Sequence, residues 1–440
     1  MNWKLPFDIP LVVPTMGLPG WFFETLGFIV FVVHIAFIYT LIGATTASVL
    51  SNITGLLKKT KTDDLLAYKM TNPTTISENM GALWGVAPLL VISVLYTGFF
   101  YTAILKVSPH ILHIIYGNIF AFLLSYAYKF SWHSLHHHKG FHIAIGLVAV
   151  LTFYTLPPVF MSMSNLYLQP ETFATVQNIW DMMLTPLTGF RLINFFLTAF
   201  SFTGIIMIYL GVKWVKAGGE DAEAGRLAID QGKKWFMWAA PVNIAILPLV
   251  FFAFSPRISE AYIHTPFVFA PFAASVVLTI LFFFLLKRFG TSEMNMGEAT
   301  KALVMMLVAV LLMATARHGI RVVSFEEPLK LQAEATEKYM TDVITEYKAY
   351  KEEMKNAPAV VLDPAVSLAD SKGCLACHSV DTALVGPSYK EVAAKGESTD
   401  ILIASLKNGS TGKWGETPMP PQNVTDEEAK TLIEWVLKQK

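Results

Sequence analysis

The chain has 440 residues, 54% of them hydrophobic and only 15% charged, with a mean hydropathy of +0.49. A soluble protein carries about 25% charged residues, so the composition excludes a single soluble domain. Lys and Arg (33) balance Asp and Glu (33), and a net charge of zero gives no ground for a nucleic-acid or acidic-substrate partner.

The charges fall in gaps between long apolar runs. A helix crosses a bilayer with roughly 20 apolar residues. Eight segments qualify: 21–49, 81–105, 110–130, 141–166, 190–212, 234–254, 266–288 and 301–319. Residues 1–20 have no basic n-region, and the first span is too long for the core of a cleavable signal. It is expected to be a retained helix.

Lys and Arg gather on the cytoplasmic side of a membrane protein. Lys58, Lys59, Lys61 and Lys69 follow span 1, and Lys129 and Lys139 flank the gap after span 3. Lys213, Lys216, Arg226, Lys233 and Lys234 follow span 5, and Lys287, Arg288 and Lys301 surround the gap after span 7. The alternate gaps hold Lys4, Lys106, none from 167 to 189, and Arg257. This alternation predicts a multi-pass protein of the bacterial inner (plasma) membrane, with both the N-terminus and the C-terminal segment periplasmic.

Ionisable residues inside spans are functional candidates. His34, set among Val32, Val33, Ile35 and Ala36, is either a buried histidine bonded to a neighbouring helix or a ligand of a b haem. His110, His113, His264 and His318 fall near outer helix ends, as interfacial histidines or as parts of a quinol or haem site. Glu24 and Arg191 lie at the same level, as interface anchors or as partners of quinol hydroxyls or haem propionates. His133, His136, His137, His138 and His142 form a cytoplasmic cluster. It reads as a solvated basic surface, or as a metal site built on one helix face.

After the last span comes a polar stretch, 321–362. Pro328 can sit near the start of a helix there, and Pro358 marks its end. Tyr339, Met340, Val343, Ile344, Tyr347, Tyr350 and Met354 recur at spacings of three and four, one apolar stripe on a charged helix. The stripe packs on the chain's own final domain or docks a partner subunit. At 1.5 Å per residue, 30 residues span roughly 45 Å.

The final segment carries the sharpest signal. Cys374-Leu375-Ala376-Cys377-His378 reads C-x-x-C-H, the attachment signal for a c-type haem. Two thiols at this spacing can add to two porphyrin vinyl groups, and the adjacent imidazole lies under the iron. These are the only cysteines in the chain. A zinc site wants a second ligand pair, and a redox dithiol wants a βαβ setting. Met419, in Thr417-Pro418-Met419-Pro420-Pro421, is the candidate sixth ligand. The flanking prolines stiffen its loop by fixing their own φ.

Residues 363–440 resemble a class I bacterial monohaem cytochrome c. The matching pieces are the C-x-x-C-H turn after Gly373, Val385-Gly386-Pro387-Ser388-Tyr389, Gly412-Lys413-Trp414-Gly415, Pro418-Met419-Pro420-Pro421, and a final helix carrying Leu432, Ile433, Trp435 and Val436. The resemblance implies one covalent haem c on Cys374 and Cys377, with His378 and Met419 as axial ligands of the iron. It implies that the Pro387 carbonyl accepts the other ring N–H of His378 and that Trp414 belongs to the haem surroundings.

Residues from about 20 to 255 resemble subunit I of cytochrome bd-type quinol oxidases. His34 precedes Tyr39-Thr40-Leu41-Ile42-Gly43, where that family places a haem-ligating histidine; Trp84-Gly85, Lys139-Gly140-Phe141-His142, Asn165-Leu166-Tyr167-Leu168-Gln169-Pro170 and Phe202-Thr203-Gly204 complete the match. The implied activity is oxidation of membrane quinol on the outer side. Third-helix carboxylates of the family are replaced by Tyr116 and Leu124, and the fifth-helix haem histidine by Asn194, Phe195 and Phe196. There is no long quinol-binding insertion after span 6. These departures argue against oxygen reduction and restrict the carry-over to His34.

The expected fold class is all-α: a polytopic bundle of about eight spans (1–320), an amphipathic helical connector (321–362) and a small all-α cytochrome c domain (363–440). The expected function is a membrane electron-transfer subunit, either a quinol-oxidising oxidoreductase of the quinol:cytochrome c type or part of one. It would sit in a larger respiratory complex and pass electrons between quinol and periplasmic or membrane-bound carriers. A haem with both axial positions filled relays electrons and does not bind oxygen. The alternative is a haem-poor membrane anchor that positions the cytochrome domain. Eight lysines against eleven acidic residues in 363–440 make the tail mildly acidic, which suits a partner with a basic face.

Overall fold

The computed structural model of the chain describes residues 20–108, 110–288, 294–356, 363–414 and 417–439. Two compact units emerge, Met1–Asp342 and Val343–Lys440.

Among the described residues, eight helices are long and apolar enough to cross a membrane. They are α1 (Gly20–Lys58), α2 (Lys61–Leu95), α4 (Ile111–Phe130), α5 (Lys139–Leu168), α7 (Pro186–Ala217), α8 (Gly219–Ala253), α10 (Pro266–Arg288) and α11 (Met296–Asn356). Short helices α3 (Thr97–Val107), α6 (Trp180–Met183) and α9 (Pro256–His264) lie between them. Span 2 is thus α2 and α3, separated by a break at Tyr96, whose φ is −123°.

The charged gaps after spans 1 and 5 turn out to be helical. Apolar patterning stops near residue 50, but Lys, Leu, Ala and Met continue to favour helix. α1 and α2 therefore run as 39 and 35 residues, well beyond the hydrocarbon thickness. They meet in a tight turn at Lys59 and Thr60. α7 and α8 form a second long hairpin through Gly218 and Gly219, both at positive φ. Lys69 of α2 pairs with Asp221 of α8 at 2.8 Å and so ties the two hairpins beyond the apolar zone.

α7 is the most enclosed span, with 67% of its apolar window buried against 17–39% for the others. It packs on α8 through glycines. A side chain on Gly204 would meet the Gly232 carbonyl, and one on Gly211 the Gly225 carbonyl. Small residues at such crossings let helix backbones touch where water cannot drive association. The outward faces carry Leu83, Leu123, Phe252 and Phe284, as a lipid-facing surface requires.

α11 continues for 61 residues. Pro328 lies inside it and does not start a new helix; the first turn of the expected connector is already helical. Tyr339, Val343, Tyr347 and Tyr350 of the stripe are exposed. Pro358 lies outside the described residues.

In the second unit α12 (Pro364–Ser371), α13 (Tyr389–Ala394), α14 (Thr399–Asn408) and α15 (Asp426–Val436) surround a core of Ala365, Ala369, Tyr389, Leu432, Trp435 and Val436. Capping boxes Ser388/Glu391 and Thr425/Glu428 start α13 and α15, satisfying otherwise orphaned backbone donors.

Candidate redox site

The C-x-x-C-H motif folds as a single 3-10 turn, Cys374–Ala376, entered through Gly373 at φ 74°, a conformation glycine adopts without penalty. The amides of Cys377 and His378 both close onto the Cys374 carbonyl, at 3.2 and 3.0 Å. Two thiols and one imidazole therefore leave one short turn. Cys374 is half-buried against the core, Cys377 is exposed, and neither is in a disulfide. Burial pushes the Cys374 thiol up, the reverse of what a reactive dithiol needs. Among the described residues no group of three His, Cys, Asp or Glu converges to hold a metal ion, so the thiols have no zinc-type ligand set.

His378 is clamped by the loop that follows. Its Nδ1 bonds to the Pro387 carbonyl at 2.7 Å; a carbonyl only accepts, so Nδ1 carries the proton and Nε2 keeps the lone pair. Gly386 lies against the ring, where any Cβ would overlap it. The Gly386 amide bonds to the Cys377 carbonyl at 2.9 Å, and the Tyr389 amide to Ser379 at 2.9 Å. Tyr389 stacks at 5.5 Å and 17° from the imidazole and meets Trp435 edge-on.

Met419 is held by a two-bond bridge to Ser410, N···O 2.8 and 3.0 Å. Gly409, at φ 81°, leaves room for the Met419 carbonyl. The Met419 side chain is half-buried. Lys395 sits 3.8 Å over the Trp414 ring and donates to the Lys413 carbonyl at 3.0 Å. Gly415 of the same motif lies outside the described residues. The donors gathered in this one unit are two thiols, an oriented imidazole and a thioether, the set a covalently attached low-spin haem uses.

In the membrane unit His34 is half-buried, and its Nδ1 donates to the Gly81 carbonyl of α2 at 2.9 Å. Gly85, one turn further, leaves space for the ring. The bond is what a buried histidine makes with a neighbouring helix, and it also leaves Nε2 with its lone pair. Asn194 donates to Asn243 at 2.6 Å, and Asn243 to Thr198 at 3.0 Å. An amide pair therefore occupies the α7 position where the bd-type resemblance implies a haem histidine.

The remaining histidines separate. His142 is buried, with Nε2 on the Tyr128 carbonyl at 2.7 Å and Nδ1 at 3.0 Å from Asn52, while His133, His136, His137 and His138 are exposed. His113 contacts Thr155 at 2.7 Å, His110 meets Trp180 edge-on, and His264 is exposed. His318 joins Glu24 at 3.3 Å and Arg321 at 2.8 Å, and Glu24 also accepts from Tyr96 at 2.8 Å. Arg191 donates to Asn165.

One intramembrane carboxyl escaped the sequence reading. Glu78 of α2 is fully buried and accepts from Ser125 of α4 at 2.8 and 2.6 Å. Starting span 2 at residue 81 left it in a presumed polar gap; the unbroken helix from Lys61 brings it inside.

Residues 364–440 match the cytochrome c family. Cytochrome c-551 of Stutzerimonas stutzeri is 53% identical over 91 residues, covering 19% of this chain and 88% of that protein. Cytochrome c-551 of Ectopseudomonas mendocina is 61% identical over 71 residues, covering 15% and 87%. The solved bd oxidase of Geobacillus thermodenitrificans superposes with a TM-score of 0.59 at 12% identity, covering 81% of this chain and 100% of that one; at this identity the likeness extends to the fold. Through its C-terminal domain the chain belongs to the cytochrome c family, an electron carrier with a covalent c haem joined to a membrane bundle of the bd-oxidase fold.

Proposed function

We propose that the chain passes electrons between membrane quinol and periplasmic or membrane-bound carriers through one c haem. Cys374 and Cys377 would hold the porphyrin, His378 through Nε2 and Met419 through sulfur would ligate the iron, and Pro387 and Trp414 would belong to its surroundings. When bound, the haem supplies a one-electron iron couple with no open coordination site. The observation that carries this reading is the bond from His378 Nδ1 to the Pro387 carbonyl. It fixes the tautomer, aims the ring and raises its basicity as a ligand.

In this reading 1–320 is the bilayer domain, 321–362 the connector and 363–440 a periplasmic domain, with the N-terminus also outside. The alternation of lysine-rich and lysine-poor ends supports it. The chain works within a larger respiratory complex as a quinol-oxidising oxidoreductase or its electron-transfer subunit. His34 is the proposed ligand of a b haem, supported by its oriented ring.

The Asn194–Asn243 pair favours a second reading, in which the bundle is a haem-poor anchor for the cytochrome domain. Pyridine haemochrome analysis of the purified full chain separates the two. A b-to-c ratio of about one or more, lost in His34→Ala, supports the redox subunit. Haem c alone supports the anchor. No covalent haem on the mature chain overturns both.

A further inference from the structure

Between α1, α7, α8, α10 and α11 lies a cavity of about 100 Å³. On α1 its wall is Phe31, Ile35 and Tyr39, successive positions on one helical face. Arg317 of α11 also lines it, with its guanidinium 4.6 Å from the Phe31 ring centroid. Among the described residues no carboxylate forms an ion pair with it. An arginine within a membrane bundle is costly unless an acceptor meets it, and a ring face satisfies it only in part. Asn194, Asn243 and Thr198 form a second, uncharged polar group on the same cavity. Ile244, Leu247 and Val276 complete an apolar wall.

We propose that this cavity binds the headgroup of a membrane quinone or quinol, with Arg317 donating to one ring oxygen and the Asn194–Asn243–Thr198 group meeting the other. The site rests on the reading of the chain as a quinol-oxidising subunit and gives that reading a place in the bundle. A quinone is flat and apolar, with oxygens on opposite edges, and the cavity offers a guanidinium and an amide group in a largely apolar wall, with Tyr39, Ser201, Ser275 and Thr279 also lining it. A phospholipid phosphate would use the arginine but not the neutral amides. No histidine lines this cavity, so a haem there would depend on Met306, Met313 or Tyr39 alone for its iron, a poorer fit than a quinone.

The test uses the full-length, haem-loaded protein in nanodiscs, with short-chain ubiquinone and menaquinone each carrying an aryl azide as photolabels. The expected result is label on α1, α8 or α11 peptides around the cavity, displaced by the unlabelled quinone. It falls about tenfold in Arg317→Leu and in Asn243→Leu, as the loss of one buried hydrogen-bonding partner predicts. The unfolding midpoint of the bundle in detergent reports folding, and Arg317→Lys, which keeps the charge without the planar fork, supplies the comparison should Arg317→Leu fail to fold. Label undiminished in the folded variants, or confined to other helices, overturns the site while quinol oxidation stands. No displaceable label, together with no reduction of haem c by either short-chain quinol, overturns the proposed function and the site with it. A phospholipid that co-purifies in equimolar amount and is lost in the arginine variant overturns the site by assigning the cavity to lipid.

Discussion

His378 donates through Nδ1 to the Pro387 carbonyl at 2.7 Å, and His34 repeats the arrangement with Gly81 at 2.9 Å. In each case a glycine lies against the ring, Gly386 for His378 and Gly85 for His34. Both rings keep the Nε2 lone pair available for a ligand. His142 and His318 have both ring nitrogens engaged by protein groups instead. The two rings share this geometry, one in each unit.

Gly386 is the tightest point of the His378 clamp. A side chain there would run into the imidazole. Either the ring turns away from Pro387 or the 384–387 loop moves, at a cost of about 1–3 kcal/mol. Gly386→Val should therefore lower the haem c recovered per mole of full-length protein and weaken the ordered low-spin signal of what remains. Haemochrome assay with electron paramagnetic resonance measures both; an unchanged yield and spectrum would remove the clamp from the account.

Met419→Ala tests the proposed sixth ligand separately from attachment. Cys374 and Cys377 are untouched, so covalent haem should be retained. The open axial position should give a high-spin component, loss of the sulfur-to-iron charge-transfer band and a lower reduction potential, since methionine ligation raises it. An unaltered spectrum and potential would mean that another residue fills that position.

The tail was legible because its chemistry is local: Cys374, Cys377 and His378 are contiguous, and Pro387 and Met419 sit in short stiff motifs. The eight spans were legible because apolar length is a one-dimensional signal. What could not be read depends on contacts between helices. Glu78 falls outside the predicted span 81–105, and only the fold brings Ser125, 47 residues away, beside it. Pro328 looked like a helix start, but a proline inside a long helix is tolerated where its neighbours compensate. The Asn194–Asn243 bond joins α7 to α8, and no spacing rule within either helix announces it.

Acid should loosen the cytochrome domain partly through Glu428. The Thr425 backbone N–H and Lys372 hold its carboxyl below the usual range. A depressed folded pKa means the unfolded chain binds the proton more readily. The stabilisation is therefore complete above the unfolded value of about 4.3 and disappears as pH falls through the folded one. Glu428→Gln should lower the thermal midpoint of the domain at pH 6 and converge with the parent near pH 3. A gap that stays constant across that range would show that the capping charge is not responsible.

Glu78 and Ser125 give the bundle its most testable polar contact. The single Ser125 hydroxyl proton is shared between the two carboxyl oxygens, and the Glu78 side chain is fully buried. Removing that donor leaves a buried acceptor poorly satisfied, at about 1–3 kcal/mol, whereas replacing both partners by apolar groups of similar shape is nearly neutral. Ser125→Ala should thus lower the unfolding midpoint of the bundle in detergent, and Glu78→Leu with Ser125→Ala should recover most of the loss. Glu78→Gln, which keeps an acceptor for the hydroxyl, should lie close to the parent. If the double variant is less stable than Ser125→Ala alone, the carboxyl contributes more than this contact, and its place in the membrane must be explained by function.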